Sequence, residues 1–124
     1  NPPPPPPPPP GSYFENGTDV AIPDLGTAES PITVSGVPGN APAGLRVGVN
    51  IRHTWRGDLV LRLIAPGGTS YLLEDFPNGD SGDDVVKTYT VNASGGAANG
   101  VWRLRVQDTA GADIGHIDLW SLQF

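Results

Sequence analysis

The aspartates of this 124-residue chain are clustered in a way that suggests metal binding. Residues 79–84, Gly-Asp-Ser-Gly-Asp-Asp, hold three of them in one short segment, and Asp108 and Asp113 flank a second loop of small residues. Carboxylates this close repel one another unless a cation or a basic partner lies among them. Ca²⁺ accepts hard oxygen ligands in irregular geometry, so the sequence predicts a structural calcium site. The candidate ligands are Asp58, Asp75, Asp80, Asp83, Asp84, Asp108 and Asp113, with Asp19 and Asp24 as secondary candidates.

Those aspartates meet only if the strands that carry them alternate in direction. Hydrophobic patterns predict strands at about 45–53, 58–65, 69–75, 86–91, 101–107 and 116–124. If each short connection links antiparallel neighbours, segments 54–57, 76–85 and 108–115 lie at one end of the molecule. All the primary candidates, and Glu74, fall at that end, whereas turns 66–68 and 92–100 contain no acid. The alternative to calcium is that Arg52 and Arg56 neutralise the acids directly.

Alternation with a period of two residues dominates the chain after residue 44. Leu45, Val47, Val49, Ile51 and His53 point one way along the first long strand. Two further inward rows are predicted, and short strands are indicated at 20–22 and 32–34. The rows consist of Leu59, Leu61 and Leu63, and of Trp102, Leu104 and Val106. With no helical periodicity, 17 Gly and 15 Pro, the sequence predicts an all-β, jelly-roll-like sandwich of about eight short, mainly antiparallel strands.

The last strand is ambiguous, because its apolar residues occupy both parities. Trp120, Leu122 and Phe124 share one face, and Ile117 and Leu119 share the other. We expect Trp102 and Trp120 to lie in the core rather than to form an exposed ligand platform. His53, at the inward end of its strand, is expected to be packed and hydrogen-bonded.

Nine consecutive prolines, residues 2–10, divide the chain into a linker at 1–10 and a domain at 11–124. Such a run adopts polyproline II at about 3.1 Å per residue, or roughly 28 Å in total. We interpret it as a stiff spacer outside the fold, with docking to an SH3- or WW-like partner as the alternative. Because the chain begins at Asn1 without a targeting segment, we expect it to be part of a longer protein.

Several classes of function are disfavoured by composition and context. A net charge of −6 provides no basic footprint for nucleic acid, and no apolar run is long enough to span a membrane. The Asp80-Ser81 motif resembles a protease nucleophile, but Asp83 follows where that chemistry needs an oxyanion hole. The tripeptide 56–58, Arg-Gly-Asp, matches an integrin-recognition motif, but it leads directly into a buried strand rather than standing at a loop tip. We therefore predict no catalytic residues.

Four motifs in the same order resemble the P-domain of proprotein convertases, which also occurs on secreted bacterial proteases. They lie at residues 53–59 (HTWRGDL), 63–69 (LIAPGGT), 99–106 (NGVWRLRV) and 115–122 (GHIDLWSL). The resemblance covers roughly residues 13–124. It implies a non-catalytic accessory module of a secreted, bacterial serine protease or metalloprotease, and it raises the expectation of calcium.

The resemblance also implies the partners. They are an upstream catalytic protease domain in the same chain and a protein substrate or inhibitor, while nucleic acid and membrane are not expected. We expect a monomer. The stiff spacer favours an independently folded module over one packed on the catalytic domain. The rival hypothesis is a carbohydrate-binding or adhesion module, which would need an exposed coplanar set among Trp55, Tyr71 and Tyr89.

Overall fold

A computed structural model describes residues 12–77, 79–111 and 115–124 of the chain. The proline tract and Asp113 lie outside the described residues. Nine strands are present in the described ranges, together with a 3₁₀ turn at Arg56–Asp58. The strands are β1 (Tyr13–Asn16), β2 (Val20–Ile22), β3 (Thr27–Val34), β4 (Leu45–His53), β5 (Leu59–Ile64), β6 (Ser70–Asp75), β7 (Val85–Val91), β8 (Gly100–Asp108) and β9 (Gly115–Gln123). No helix in this part of the chain is long and apolar enough to cross a membrane.

The strands form two antiparallel sheets packed face to face. Sheet I has five strands in the order β1-β9-β4-β7, with β2 also paired to β9. Sheet II has four strands in the order β3-β8-β5-β6. The predicted all-β sandwich is therefore confirmed, with nine strands where about eight were expected. The additional strand is β1, and β3 begins at Thr27, five residues before the predicted short strand at 32–34.

The assumption that each connection links hydrogen-bonded neighbours was wrong. From β4 onward, β5 and β6 are the one consecutive pair that shares a ladder among the described strands, and the other connections cross between the sheets. Each strand has one apolar face that must be covered by the opposite sheet, and crossing the sandwich provides that cover. Each crossing also reverses the direction of the chain. Successive loops therefore still lie at alternate ends of the molecule, as the sequence predicted.

The predicted inward rows form the core, where Leu45, Leu61 and Leu104 are completely buried. Trp102 and Trp120 are also fully buried, which confirms their assignment to the core. A register shift in the β4–β9 ladder resolves the ambiguity of the last strand. Asn50 pairs with Leu119 and Ile51 with Ile117, so the ladder skips a residue on β9. Ile117 and Trp120 therefore both face the core despite their opposite parity.

The hydroxyl of Ser30 provides the hydrogen-bond acceptor for the indole N–H that Trp120 brings into this core. Ser30 on β3 is fully buried. Its Oγ accepts a hydrogen bond from Trp120 Nε1 at 2.9 Å and another from Asn16 Nδ2 at 3.3 Å. The hydroxyl thus links β9 and β1 of sheet I to β3 of sheet II.

We predict that Ser30→Ala destabilises the domain, because it leaves the buried indole N–H without its acceptor. The expected cost is about 1–3 kcal/mol, or a fall in melting temperature of roughly 5–15 °C. Ser70→Ala on exposed β6 is the matched control and should change stability by less than about 0.5 kcal/mol. Thermal melts followed by circular dichroism measure both. Equal effects of the two substitutions would contradict the proposed role of Ser30.

Candidate functional site at the acidic pole

Four segments meet at one end of the sandwich, which we call the acidic pole: residues 23–26, 53–58, 79–84 and 108–111. Arg56 N donates to the carbonyl of Gly82 at 3.0 Å, and Gly57 N donates to that of Asp80 at 2.9 Å. These two bonds hold the 79–84 loop against the corner that precedes β5.

The end of β8 reaches the same pole from the opposite side of the corner. Thr109 donates to the carbonyl of Asp58 from both its backbone N, at 2.8 Å, and its Oγ1, at 2.9 Å. Asp108 N donates to the carbonyl of Gly26 at 2.9 Å. Loops 35–44 and 92–99, joined by a bridge between Asn40 and Ala97, meet elsewhere and carry no acid.

Asp80 is bound within this pole by an arginine. Arg56 Nε donates to Asp80 Oδ2 at 2.9 Å, and Gly82 N donates to Oδ1 at 3.0 Å. The Gly82 N–H, followed by Arg56, lowers the pKa of Asp80 below its usual value. Its carboxylate contacts therefore persist above the ordinary pKa of an aspartate and are lost only as the pH falls through the lower, folded-state value.

Asp84 is held in a comparable way at the end of β4. Arg52 Nη1 lies 3.3 Å from Asp84 Oδ2, and the backbone N of His53 donates to Oδ1 at 3.0 Å. Asp84 N in turn donates to the carbonyl of His53 at 2.8 Å. Asp84 has a φ of 63°, a left-handed conformation that aspartate tolerates better than most residues. Arg52 and Arg56 are thus the direct partners of two candidate calcium ligands.

A buried trio of His53, Asp58 and Asp108 lies behind these surface pairs. Potential ligand atoms of the three residues all lie within 4.8 Å of one another, and the residues are only 2%, 6% and 2% exposed. His53 Nδ1 accepts the backbone N–H of Trp55 at 3.1 Å, so Nδ1 carries no proton. The proton is then on Nε2, which faces Asp108 Oδ2 at 3.3 Å. The expectation that His53 is packed and hydrogen-bonded is confirmed.

The remaining candidates are placed differently. Asp83 is exposed in the loop, and Asp75 is exposed at the end of β6. Asp24 lies in the 23–26 segment, where its Oδ2 is close to Gly111. Asp19 precedes β2, and its carboxylate groups with His116 and Asp118 rather than with another candidate calcium ligand. Among the described residues, no close group of three potential ligand atoms includes Asp80, Asp83 or Asp84.

Burial bears on two other hypotheses from the sequence, an integrin-recognition motif and an aromatic carbohydrate-binding surface. Gly57 and Asp58 are buried, so the Arg-Gly-Asp tripeptide is not displayed for an integrin. Tyr71 and Tyr89 pack against the core, and the Tyr89 hydroxyl donates to Glu74 Oε1 at 2.8 Å. Of the three aromatic residues on which a carbohydrate-binding surface would depend, Trp55 is exposed, whereas Tyr71 and Tyr89 are partly buried.

Glu74 joins the edges of the two sheets beside this pole. Its Oε1 accepts hydrogen bonds from Lys87 Nζ at 2.9 Å and from Tyr89, both on β7. Burial alone would raise the pKa of Glu74, but these two hydrogen bonds, together with the positive charges of Lys87 and Arg56, outweigh it and lower the pKa. Burial, followed by the bond to Glu74, raises the pKa of Tyr89 well above its usual value. Hydrogen bonds among the three side chains thus link β6 of sheet II to β7 of sheet I.

This architecture coincides with a known family of domains. The sequence profile described as "Proprotein convertase P-domain" matches residues 42–124. The chain belongs to the proprotein convertase P-domain family. The match includes β4 to β9 and every segment of the acidic pole except 23–26.

Curated relatives of this P-domain are bacterial proteases. Leupeptin-inactivating enzyme 1 of Streptomyces exfoliatus is 58% identical over 116 residues, spanning 92% of this chain and 26% of that protein. Transglutaminase-activating metalloprotease of Streptomyces mobaraensis is 53% identical over 115 residues, spanning 92% of this chain and 15% of that protein. A protein named calcium-dependent protease, from Nostoc sp., is 33% identical over 115 residues, spanning 86% of this chain and 17% of that protein. The chain thus spans a minor part of each relative.

The fold also matches a solved structure. The serine protease of Aeromonas sobria superposes with a TM-score of 0.72 over 90% of this chain and 26% of that one, at 19% identity. This likeness shows that the two share the β-sandwich fold.

We predict that Asp108→Asn destabilises the P-domain through the buried trio. Asp108 Oδ1 accepts the N–H of Ala110, so the new amide N–H₂ would face the Nε2–H of His53. Two buried donors facing each other should cost about 1–3 kcal/mol. Urea unfolding of Asp108→Asn and of Asp83→Asn, the exposed control from the same pole, measures this. Unchanged stability of Asp108→Asn would refute the hydrogen-bond assignment.

Proposed function

We propose that this P-domain is a non-catalytic accessory module of a secreted bacterial protease. It would stabilise the catalytic domain of the same chain and bind protein substrate or inhibitor for it. The observation that carries this proposal is that 92% of this chain matches a segment that makes up only 26% and 15% of two bacterial enzymes with different names. A module shared in this way is best explained if the catalytic residues lie in the remainder of each enzyme.

The geometry of the described histidines supports a non-catalytic role. A serine nucleophile needs an accessible imidazole base whose second nitrogen is oriented by another group. His53 has both ring nitrogens engaged inside the core, by Trp55 N–H and by Asp108. Ser81 belongs to the loop held by Arg56, and His116 lies on β9 in sheet I. The protease-like motif around Ser81 thus has no available base in His53.

The accessory role is tested by removing residues 12–124 from the full-length parent enzyme. We expect the truncated enzyme to lose thermal stability or secreted yield, and to lose more activity on a folded protein than on a short peptide. A short peptide reaches the catalytic site without help, so the ratio of the two activities separates substrate binding from stabilisation. Full-length Ser81→Ala is the matched control and should retain both activities.

Two results would reject the accessory role. In the first, the truncated parent keeps its stability, yield and both activities. In the second, the isolated 124-residue chain cleaves peptides and Ser81→Ala abolishes that cleavage.

We propose, in addition, that Ca²⁺ supplements the arginines at the acidic pole. Asp80 and Asp84 remain partly exposed, with 23% and 36% of their side chains accessible. A carboxylate offers about four lone-pair sites, so one arginine contact and one backbone N–H leave acceptor capacity toward solvent. Exposed Asp83 lies between them in sequence and completes a carboxylate-rich loop. Such a loop suits a weak extracellular calcium site rather than an enclosed one.

This calcium proposal predicts a modest shift in melting temperature. With a dissociation constant of about 1 mM, about 10 mM Ca²⁺ should add roughly 1.4 kcal/mol, or about 5 °C, relative to chelator. Asp83→Asn should remove most of the shift, because it removes one ligand charge without disturbing an arginine pair. Glu15→Gln, at an exposed acid on β1, should keep it. No shift in the wild-type chain, or an equal shift in Asp83→Asn, would end the proposal.

A further inference from the structure

A second group of potential metal ligands, which combines an imidazole with two carboxylates, lies on the outer face of sheet I. Ligand atoms of Asp19, His116 and Asp118 all lie within 4.8 Å of one another. His116 and Asp118 are partly exposed and Asp19 is exposed, so an ion has direct access from solvent. We propose that these three residues form a binding site for a divalent transition-metal ion, and that Zn²⁺ is the ion it takes.

Strand pairing explains why residues nearly a hundred positions apart meet here. Val20 pairs with Ile117 and Ala21 with His116, so Asp19 stands next to Asp118 across the β2–β9 ladder. His116 and Asp118 are two residues apart on β9 and therefore share a face, while Ile117 between them is buried. The small Ala21 opposite His116 leaves the imidazole room on that face.

Charge supports a cation at this position. Two carboxylates on adjacent strands repel each other. Among the described residues, no lysine or arginine pairs with either Asp19 or Asp118, whereas Glu29, Glu74, Asp80 and Asp84 each have one. Arg52 lies across from His116 in the β4–β9 ladder, but its guanidinium is directed to Asp84.

The ligand set selects the ion. Ca²⁺ and Mg²⁺ bind oxygen, while an imidazole with two carboxylates suits Zn²⁺, which often takes three protein ligands and a water. His116 Nε2 and Asp118 Oδ1 are 4.0 Å apart. Ligand atoms about 2.0–2.2 Å from a tetrahedral zinc ion stand roughly 3.4 Å from one another. Small side-chain rotations, easiest at exposed Asp19, would close that difference.

Binding would tie the N-terminal segment to the sandwich. β2 has three residues, and its ladder partner in sheet I is β9. An ion shared by Asp19 and β9 adds a cross-strand link at the start of this short strand. Because the ion binds the folded form, it stabilises that form by mass action.

The experiment uses the full 124-residue chain without a histidine tag, titrated with ZnCl₂ by calorimetry. The chain has two histidines, so two imidazole Hε1 signals report binding in an NMR spectrum. We expect one Zn²⁺ per chain, a shift or broadening of the His116 signal, and an unchanged His53 signal. His116→Ala and Asp118→Asn should each weaken binding by more than about tenfold, since even outer-shell changes at metal sites cost 10–100-fold.

Glu15→Gln is the control for loss of surface charge on the same sheet and should bind Zn²⁺ like the wild type. Circular dichroism verifies that each variant is folded, so a loss of binding is not a loss of fold. Two results overturn the proposal: no saturable binding of Zn²⁺ to the wild-type chain, or affinity unchanged in folded His116→Ala. Perturbation of the His53 signal alone would place the ion in the buried trio and would likewise overturn it.

Discussion

The corner at residues 53–58 is the constraint on which the arrangement of this P-domain depends. Here the chain leaves β4 in sheet I and enters β5 in sheet II, and a sharp crossing leaves backbone groups that neither ladder can satisfy. The 79–84 loop and Thr109 supply the missing partners through backbone hydrogen bonds. His53 supports the same corner from within, through Trp55 N–H and Asp108. Misplacing this corner would separate the two sheets at the end where most of the acids lie.

The ion pairs at the acidic pole depend on the same corner. Arg52 precedes the corner and Arg56 lies within it, and they bind Asp84 and Asp80 of the loop that the corner holds. The arginines thus reduce the repulsion among the loop carboxylates while the backbone bonds fix the loop position. Asp84 and Asp80 thus have partners within the chain, and the Ca²⁺ that we propose would add to these contacts.

The two groups of histidine and aspartate side chains illustrate how burial separates structural from binding chemistry. Around His53, both ring nitrogens are occupied and solvent is excluded, so the residues serve the fold. Around His116, the carboxylates lack lysine or arginine partners within the described residues, and the ring is accessible. Residue types alone are the same in both places. Only the second arrangement presents its ligand atoms where an ion from solution can reach them.

Residue alternation by itself determined that this chain is a β-sandwich and which side chains fill it, because a strand buries every second residue and leaves the others to solvent. The gathering of the loop aspartates at one end was also predictable, because successive strands reverse direction whether a connection pairs neighbours or crosses between the sheets. Tertiary structure alone decided that most connections cross between sheets, that a register shift turns both Ile117 and Trp120 inward, and that Asp19 meets His116 and Asp118. Those features depend on which strands pair and in what register, and pairing is set by the fit of distant segments across a shared core.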